Sequence, residues 1–301
     1  MSAISRVGAP RRRQPLAFES APRRSRRLRL LRHLAIRDPL ACALVAFFVI
    51  AAALGPLIAP HSAISVDLSA RLQGPNAAHF LLGTDQYGRD LLSRILWAAR
   101  VAGEAALIVL LIGGGTGTLL GIAAGGFGGA VDLVISRLTE IVQGFPIILL
   151  AIAIVAITGP SLLHAMIAVG IGSIPDFARI ARSITIQLRG REFVEAARSL
   201  GASEVRILWR EILPNMVGAL VVIASFDAAQ AVMYEATLSF LGLGVQPPQP
   251  SLGGMLSEAK AYLNIQPWYA LIVGVALALV ILGLNLLGDT FSDYYARGGD
   301  T

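Results

Sequence analysis

The sequence predicts an all-α membrane protein with six transmembrane helices and both termini on the cytoplasmic side. Three observations carry this. Of 301 residues, 55% are hydrophobic and only 15% charged, with a mean hydropathy of +0.68, a balance that places most of the chain in a bilayer. Several stretches run uncharged for the roughly 20 residues a helix needs to cross a hydrocarbon core. The arginines are also unevenly placed. Arg6, Arg11, Arg12, Arg13, Arg23, Arg24, Arg26, Arg27, Arg29, Arg32 and Arg37 precede the first apolar run, and Arg179, Arg182, Arg189, Arg191, Arg198, Arg206 and Arg210 crowd one later segment. Residues 61–99 hold only Arg71, Arg89 and Arg94, and residues 244–268 only Lys260. Positive residues beside spans stay cytoplasmic.

Residues 1–37 read as an Arg-rich cytoplasmic tail, polar enough before residue 28 to remain disordered. The net charge of +6 does not point to nucleic acid, because the arginines lie beside spans and lack interleaved aromatics. Arg11-Arg12-Arg13 invites a twin-arginine export reading, but the apolar run is long for a signal and lies far downstream, which favours an uncleaved anchor. Residues 38–60 hold the first span, Leu40 to Ala59; its lone Cys42 can form no intrachain disulfide.

Residues 61–99 make a long external connector in which Asp85 can pair with Arg89, and Arg89 with Asp90, between turns at Gly83 and Gly88. It is either a flap that contacts a partner or a cap packed on itself. The second span, Ala105 to Phe127, carries glycines at 113, 117, 121 and 125, and the same spacing continues to Gly129 just past it. That spacing puts Gly113, Gly117, Gly121 and Gly125 on one face for close helix packing. No Lys-Ser or Lys-Thr follows, so this is not a phosphate-binding loop. The apolar stretch from Ile141 to Pro175 is cut at Thr158-Gly159-Pro160 into a third span and the start of a fourth. Met216 to Leu243 gives the fifth and Tyr269 to Leu287 the sixth. Pro247, Pro248 and Pro250 mark an external loop before Trp268 and Tyr269 at the interface. Residues 296–301 form a short tail.

Between the fourth and fifth spans, Phe193, Ala197 and Leu200 fall at i, i+4 and i+7 on one helix face, with Arg191, Glu195 and Arg198 about 200° away. Gly201 can end this helix, Ser203 with Glu204 can start a second running to about Glu211, and Pro214 can break the chain before the fifth span. A helix, a glycine turn and a second helix offer a rigid knob to a partner in water. In the fifth span, Asp227, Gln230 and Glu235 are spaced to share one side loosely and either line a translocation path or make interhelical hydrogen bonds. His164 is placed at the interface, with no cluster of metal-ligand spacing around it, and no nucleophile elbow supports a hydrolase.

Taken in order, several motifs resemble one family. They are Leu82-Gly83-Thr84-Asp85 with Gly88-Arg89-Asp90; Phe145-Pro146; Gly159-Pro160; Glu195-Ala196-Ala197 with Gly201, Leu213 and Pro214; Ile212-Leu213-Pro214-Asn215; Glu235 through Pro248; and Asn285 with Gly288-Asp289. The set is similar to the permease subunits of binding-protein-dependent ABC importers, in the C-type branch for dipeptides, oligopeptides and nickel. One departure is Glu211 where the family has isoleucine, with Ile212 one step later. The resemblance implies a type I ABC importer transmembrane domain over residues 100–295, with its EAA coupling loop at about 186–214, in a bacterial inner membrane. It implies that Phe193, Glu195, Ala196, Ala197, Leu200, Gly201, Leu213 and Pro214 meet an ATPase. The implied partners are a homologous B-type permease, two ABC ATPase subunits that bind the ATP and Mg, an extracytoplasmic binding protein and membrane lipid, with no nucleic acid. No cofactor, metal or catalytic residue is implied on this chain. The alternative, a self-contained secondary carrier or channel, more typically shows internal repeats and paired broken helices, and the sequence displays neither.

Overall fold

Four of the long helices start where a side chain satisfies a free amide. The computed structural model describes residues 38–76 and 79–297; the Arg-rich tail, its arginine triplet and the last four residues lie outside these. Helix α1, Pro39–Ile58, is capped by Asp38, whose Oδ1 accepts from the Ala41 amide at 3.2 Å, and has proline at its first position, where the missing N–H costs nothing. Helix α2, Leu91–Phe127, starts at Leu91 and not at Ala105, so the last part of the connector expected over 61–99 is helical. Asp90 sets that start: its Oδ2 accepts from the Ser93 amide at 3.0 Å and from the Ser93 hydroxyl at 2.6 Å. The charges that argued for a loop are paired on the helix, Arg100 with Glu104 at 3.0 Å and Arg94 in an ionic cluster. Residues Leu110–Thr116 of α2 form π-helical turns.

The third span is not one straight helix. Helices α3, Gly129–Gln143, and α4, Ile147–Thr158, meet at an 82° bend. Pro146 lacks an N–H and disfavours helical geometry at Phe145 before it, which breaks a stretch that reads as continuous from hydropathy alone. Helix α5, Leu162–Arg189, is capped by Ser161 and runs through Pro175. Helix α6, Glu192–Ser199, leads by a glycine turn into α7, Glu204–Phe240. Pro214 does not break the chain there. A π-helical segment, Leu208–Ile212, precedes it and widens the turn that would otherwise clash with the proline ring, while Asn215 Nδ2 donates to the Glu211 carbonyl at 2.6 Å. Helices α8, Leu252–Lys260, and α9, Pro267–Arg297, complete the chain. Among the described residues, five helices are long and apolar enough to cross a membrane, or six when the bent α3–α4 pair counts as one.

Packing between spans rests on small residues, as it must where lipid supplies no hydrophobic drive between helices. The central cluster joins Ala102, Ala105 and Val109 of α2 to Ala165 and Val169 of α5 and Ala228 and Val232 of α7. The glycine ladder lies against α5. A Cβ on Gly113 would sit 2.6 Å from Ser173 Cβ, one on Gly117 2.6 Å from the Ile174 carbonyl oxygen, and one on Gly125 2.7 Å from that of Arg182; one on Gly121 would overlap the Ala178 carbonyl. Gly129 has left the ladder and begins α3, with nothing near its Cβ position.

The connector between α1 and α2 packs onto its own chain, and a buried ionic network holds it to α2, α8 and α9. Asp85 is fully buried; its Oδ1 accepts from the amides of Tyr87 and Arg89, and its Oδ2 from Arg89 Nε at 2.6 Å and from Arg94 Nη1. Glu258 on α8 takes Arg94 Nη1 at 2.8 Å, Arg89 Nη2 at 3.2 Å and the Tyr269 hydroxyl at 2.9 Å. Two arginines and two carboxylates thus balance their charges out of water, which burial of either sign alone would not allow. Burial pushes the Glu258 carboxyl up, but the Arg94 hydrogen bond and charge outweigh it and hold the group at about 2. Arg89 pairs with Asp85, as the spacing predicts, but not with Asp90, which is committed to capping α2.

Candidate functional site

The segment between α5 and α7 is anchored by residues that hydropathy alone does not single out. Val194 is completely buried and packs with Ile122 of α2, Ala181 of α5 and Ile207, Leu208 and Ile212 at the base of α7; Ala197, one turn on, and Leu213 lean on the same cluster. The apolar face expected from Phe193, Ala197 and Leu200 is therefore split. Ala197 turns inward with Val194, whereas Phe193 and Leu200 stay outside, Leu200 at 89% exposed. With exposed Ala196, they occupy positions i, i+3 and i+7 and form one outward stripe. Glu195 is exposed on the same short helix, and Pro214 is exposed where α7 begins to climb.

The turn that follows α6 is fixed by backbone chemistry. Gly201 sits at φ +82°, its amide donates to the Arg198 carbonyl at 3.0 Å, and the Ala202 amide donates to the Ala197 carbonyl at 3.1 Å. These two bonds are a Schellman closure, which uses a left-handed residue to satisfy the last carbonyls of a helix. Ser203 then caps α7 by accepting from the Arg206 amide at 3.4 Å. Glu204 ties the pieces together, accepting from Arg198 Nε at 2.8 Å and from Arg189 Nη2 at 3.2 Å. The hydrogen bond and then the charge of Glu204 raise the Arg198 guanidinium above its ordinary range. The end of α5, α6 and the start of α7 are thereby one mechanical unit with an apolar stripe on its free side.

Within the spans, Asp227, Gln230 and Glu235 do not share one side. Asp227 is partly buried, with Oδ1 accepting from the Ser173 hydroxyl of α5 at 3.0 Å and Oδ2 buried without a partner. Gln230, one turn on, is exposed. Glu235 is 1% exposed, accepts from the Ser239 hydroxyl at 2.7 Å, and lies where α8 packs so closely on α7 that a Cβ on Gly253 would overlap the Ala236 backbone. Five residues of helix rotate Glu235 roughly 140° from Gln230, so it serves α7–α8 packing. His164 Nδ1 lies 3.0 Å from the Gly159 carbonyl oxygen and closes the turn between α4 and α5. The sequence reading missed Ser173, which is remote in sequence from Asp227 and carries no signal, and Val194, which the spacing of Val194, Ala197 and the run Ile207–Leu208 could have exposed.

At the bend between α3 and α4 lies a cavity of about 400 Å³ lined by Gln143, Phe145, Ile148, Gly172, Asp176 and Tyr234, among others. Hydropathy gave no hint of it, because it depends on the break at Pro146.

Comparison with known proteins agrees with this architecture. A family model described as "Binding-protein-dependent transport system inner membrane component" matches residues 117–298, from the glycine ladder to the end of α9. The dipeptide transport system permease protein DppC of Alkalihalophilus pseudofirmus is 41% identical over 250 residues, covering 83% of this chain and 82% of that one. The glutathione transport system permease protein GsiD of Pectobacterium atrosepticum is 44% identical over 221 residues, 73% of each. A chain of the MetNI methionine ABC transporter in an inward-facing conformation aligns with a TM-score of 0.51 at 21% identity, over 66% of this chain and 93% of that one, which shows a shared fold. The family model spans more than half of the chain and the relatives align over most of their length, and the chain belongs to the binding-protein-dependent transport system inner membrane components.

Proposed function

We propose that the chain is the C-type permease of an ABC importer that carries dipeptides, oligopeptides or a related small solute across the cytoplasmic membrane, and that α6 couples it to separate ATPase subunits. The relatives named for dipeptide and glutathione transport support the solute class. In this reading the chain pairs with a homologous B-type permease, two ATPase subunits bind the ATP and Mg and dock from the cytosol, and an extracytoplasmic binding protein delivers solute. The crowding of arginines before α1 and around α6 supports placing both termini and α6 inside. This chain supplies the path and the lever, and ATP hydrolysis belongs to the partners.

The observation that carries the proposal is the exposed stripe of Phe193, Ala196 and Leu200 on a helix pinned from behind by Val194. A helix in water that leaves Leu200 almost wholly bare gains by burying it in a partner's groove, by about 1.5–3 kcal/mol for one such side chain. When the ATPase dimer closes, α6 follows its groove, and the joined ends of α5 and α7 tilt with it. Purification of the tagged chain from its native membrane tests this. Wild type is expected to bring down a second permease and P-loop ATPases, identified by mass spectrometry, and Leu200→Asp to lose the ATPases while retaining the permease. Equal ATPase recovery with Leu200→Asp would refute the coupling role of α6.

A further inference from the structure

The cavity at the broken third span and the half-satisfied carboxylate beside it have no part in the coupling reading. The cavity is bounded by the end of α3 at Gln143, the start of α4 at Ile148, the middle of α5 at Gly172 and Asp176, and Tyr234 of α7. Its size suits a small solute rather than a macromolecule. Gly172 shapes it: a Cβ there would press to 2.9 Å from Ile147, so the α4–α5 contact leaves no room for a larger residue. Phe145, Ile147, Ile148 and Pro175 make most of the wall apolar; the polar groups are Gln143, the Tyr234 hydroxyl and the Asp176 carboxylate.

Next to this wall, Ser173 follows Gly172 on α5 and donates to Asp227 at 3.0 Å. Asp176 falls three residues after Ser173 on α5 and Tyr234 seven after Asp227 on α7, so the two helix faces that meet at this bond are the faces that reach the cavity. Asp176 is exposed and has Arg179 Nη2 at 3.9 Å, whereas no cation among the described residues pairs with Asp227, whose Oδ2 is shielded from solvent and has no hydrogen-bond partner. A carboxylate oxygen within a membrane span without a donor is costly, and the cost is recovered when a cation with hydrogens to give arrives. Sites for solutes in membrane transporters recur where a span is interrupted near mid-membrane, and α3–α4 is the interrupted span here.

We infer that this cavity is a translocation subsite for the primary ammonium group of the solute, held between Asp227 and Asp176 with the Tyr234 hydroxyl beside it and the solute body against Phe145 and Ile148. The inference rests on the proposed transport function and adds the chemistry that the path reads. It makes Asp227 a binding residue and its Ser173 hydrogen bond the device that aims the free oxygen.

The test uses the full importer assembly in proteoliposomes, with its binding protein saturated by radiolabelled dialanine or by reduced glutathione, both of which carry an ammonium group. Asp227→Asn keeps the shape and can keep the Ser173 hydrogen bond but loses the charge. It is expected to lower the initial uptake rate per assembled complex at least roughly tenfold, the scale of one charge-assisted contact, and Asp227→Glu is expected to restore part of it. Ile148→Trp, which fills the cavity from the other side without touching a carboxylate, is expected to cut uptake comparably. Wild-type rates in Asp227→Asn would overturn the subsite, as would wild-type rates in Ile148→Trp. A wild-type assembly that takes up neither solute would overturn the peptide reading and this inference with it, whereas uptake by wild type with no effect of Asp227→Asn would remove the subsite alone.

Discussion

Gly201→Val isolates the geometry of the coupling turn, because the structure lets its cost be worked out from one residue. Gly201 lies at φ +82°, where an L-residue pays about 1–2 kcal/mol and a β-branched one falls at or above the upper end. Nothing lies within 4 Å of the position its Cβ would take, so neither a clash nor a new contact changes that figure. If the chain leaves the left-handed region to escape the strain, the bonds from Gly201 to Arg198 and from Ala202 to Ala197 are lost, at about 0.5–1.5 kcal/mol each and near the low end for exposed groups. Either way about 2 kcal/mol separates the variant from the docked geometry, roughly a 30-fold fall in its population. ATP-coupled uptake in proteoliposomes, normalised to assembled complex, is expected to drop by about 10- to 30-fold. Gly201→Asn, which tolerates this conformation better, is expected to stay within about threefold. Gly190, on the other side of α6, has φ −87°, so Gly190→Ala is the matched control and should behave as wild type. Full uptake by Gly201→Val, or equal losses at Gly190 and Gly201, would refute the argument from backbone conformation.

The remaining predictions concern what holds the spans. Glu258→Ala leaves Arg94, 2% exposed, with Asp85 but without its α8 partner; a lost hydrogen bond between charged groups costs about 1.5–3 kcal/mol, expected as a clear fall in the unfolding midpoint in detergent, and an unchanged midpoint would show that the network is idle. The same carboxyl sets a pH dependence. Its folded value, about 2, lies below its ordinary 4.5, so the stabilisation is complete above about pH 4.5 and is lost as pH falls toward 2. The midpoint of wild type should decline in that window and that of Glu258→Gln should decline less; parallel curves would assign the acid sensitivity elsewhere. Gly117→Leu drives a side chain into the Ile174 carbonyl, 2.6 Å from its Cβ, whereas Gly115→Leu meets nothing within 4 Å. Overpacking costs about 1–3 kcal/mol or more, so the yield of monodisperse protein on size exclusion should fall for the first and hold for the second, and equal yields would contradict the α2–α5 contact.

Most of the membrane architecture is legible in the sequence, because span length and the absence of charge are direct consequences of the solvent. Leu40 to Ala59 predicts α1 almost to the residue for that reason. The start of α2 is missed because Arg94, Arg100 and Glu104 look too polar for a span; what admits them is pairing, Arg94 with Glu258 far away in sequence and Arg100 with Glu104 one turn on. Pro214 and Pro146 show the limit of breaker rules. Both remove an amide, but π-helical turns at Leu208–Ile212 absorb the first, while Gly144 and Phe145 before the second give the helix no reason to continue, and it bends by 82°. At the coupling segment, the two helices and Gly201 follow from local chemistry. Which face of α6 is free does not, since that depends on Ile122 and Ala181 arriving from α2 and α5 to bury Val194.

These contacts also determine where a displacement of α6 can go. The end of the bundle that holds the connector is stiff, because Asp85, Arg89, Arg94, Glu258 and Tyr269 tie the connector, α2, α8 and α9 through a network in which each charge has more than one partner. The second half of α2 cannot slide easily on α5, because four glycines bring its backbone close to α5, where a shift meets the carbonyls of Ile174, Ala178 and Arg182 and the Ser173 Cβ rather than the ends of flexible side chains. Compliance is left to the irregular segments, which are the π-helical turns of α2 and α7 and the break at residues 144–146. Under the proposed function, a pull on α6 therefore enters α5 and α7 through Glu204 and Val194 and is resisted at the ionic network. It is relieved where α3 meets α4, and that joint is also a wall of the cavity that Asp176 and Tyr234 line. The coupling helix and the solute subsite are then two ends of one lever, and the position of Phe145 and Ile148 relative to Asp176 is the quantity that nucleotide binding would change.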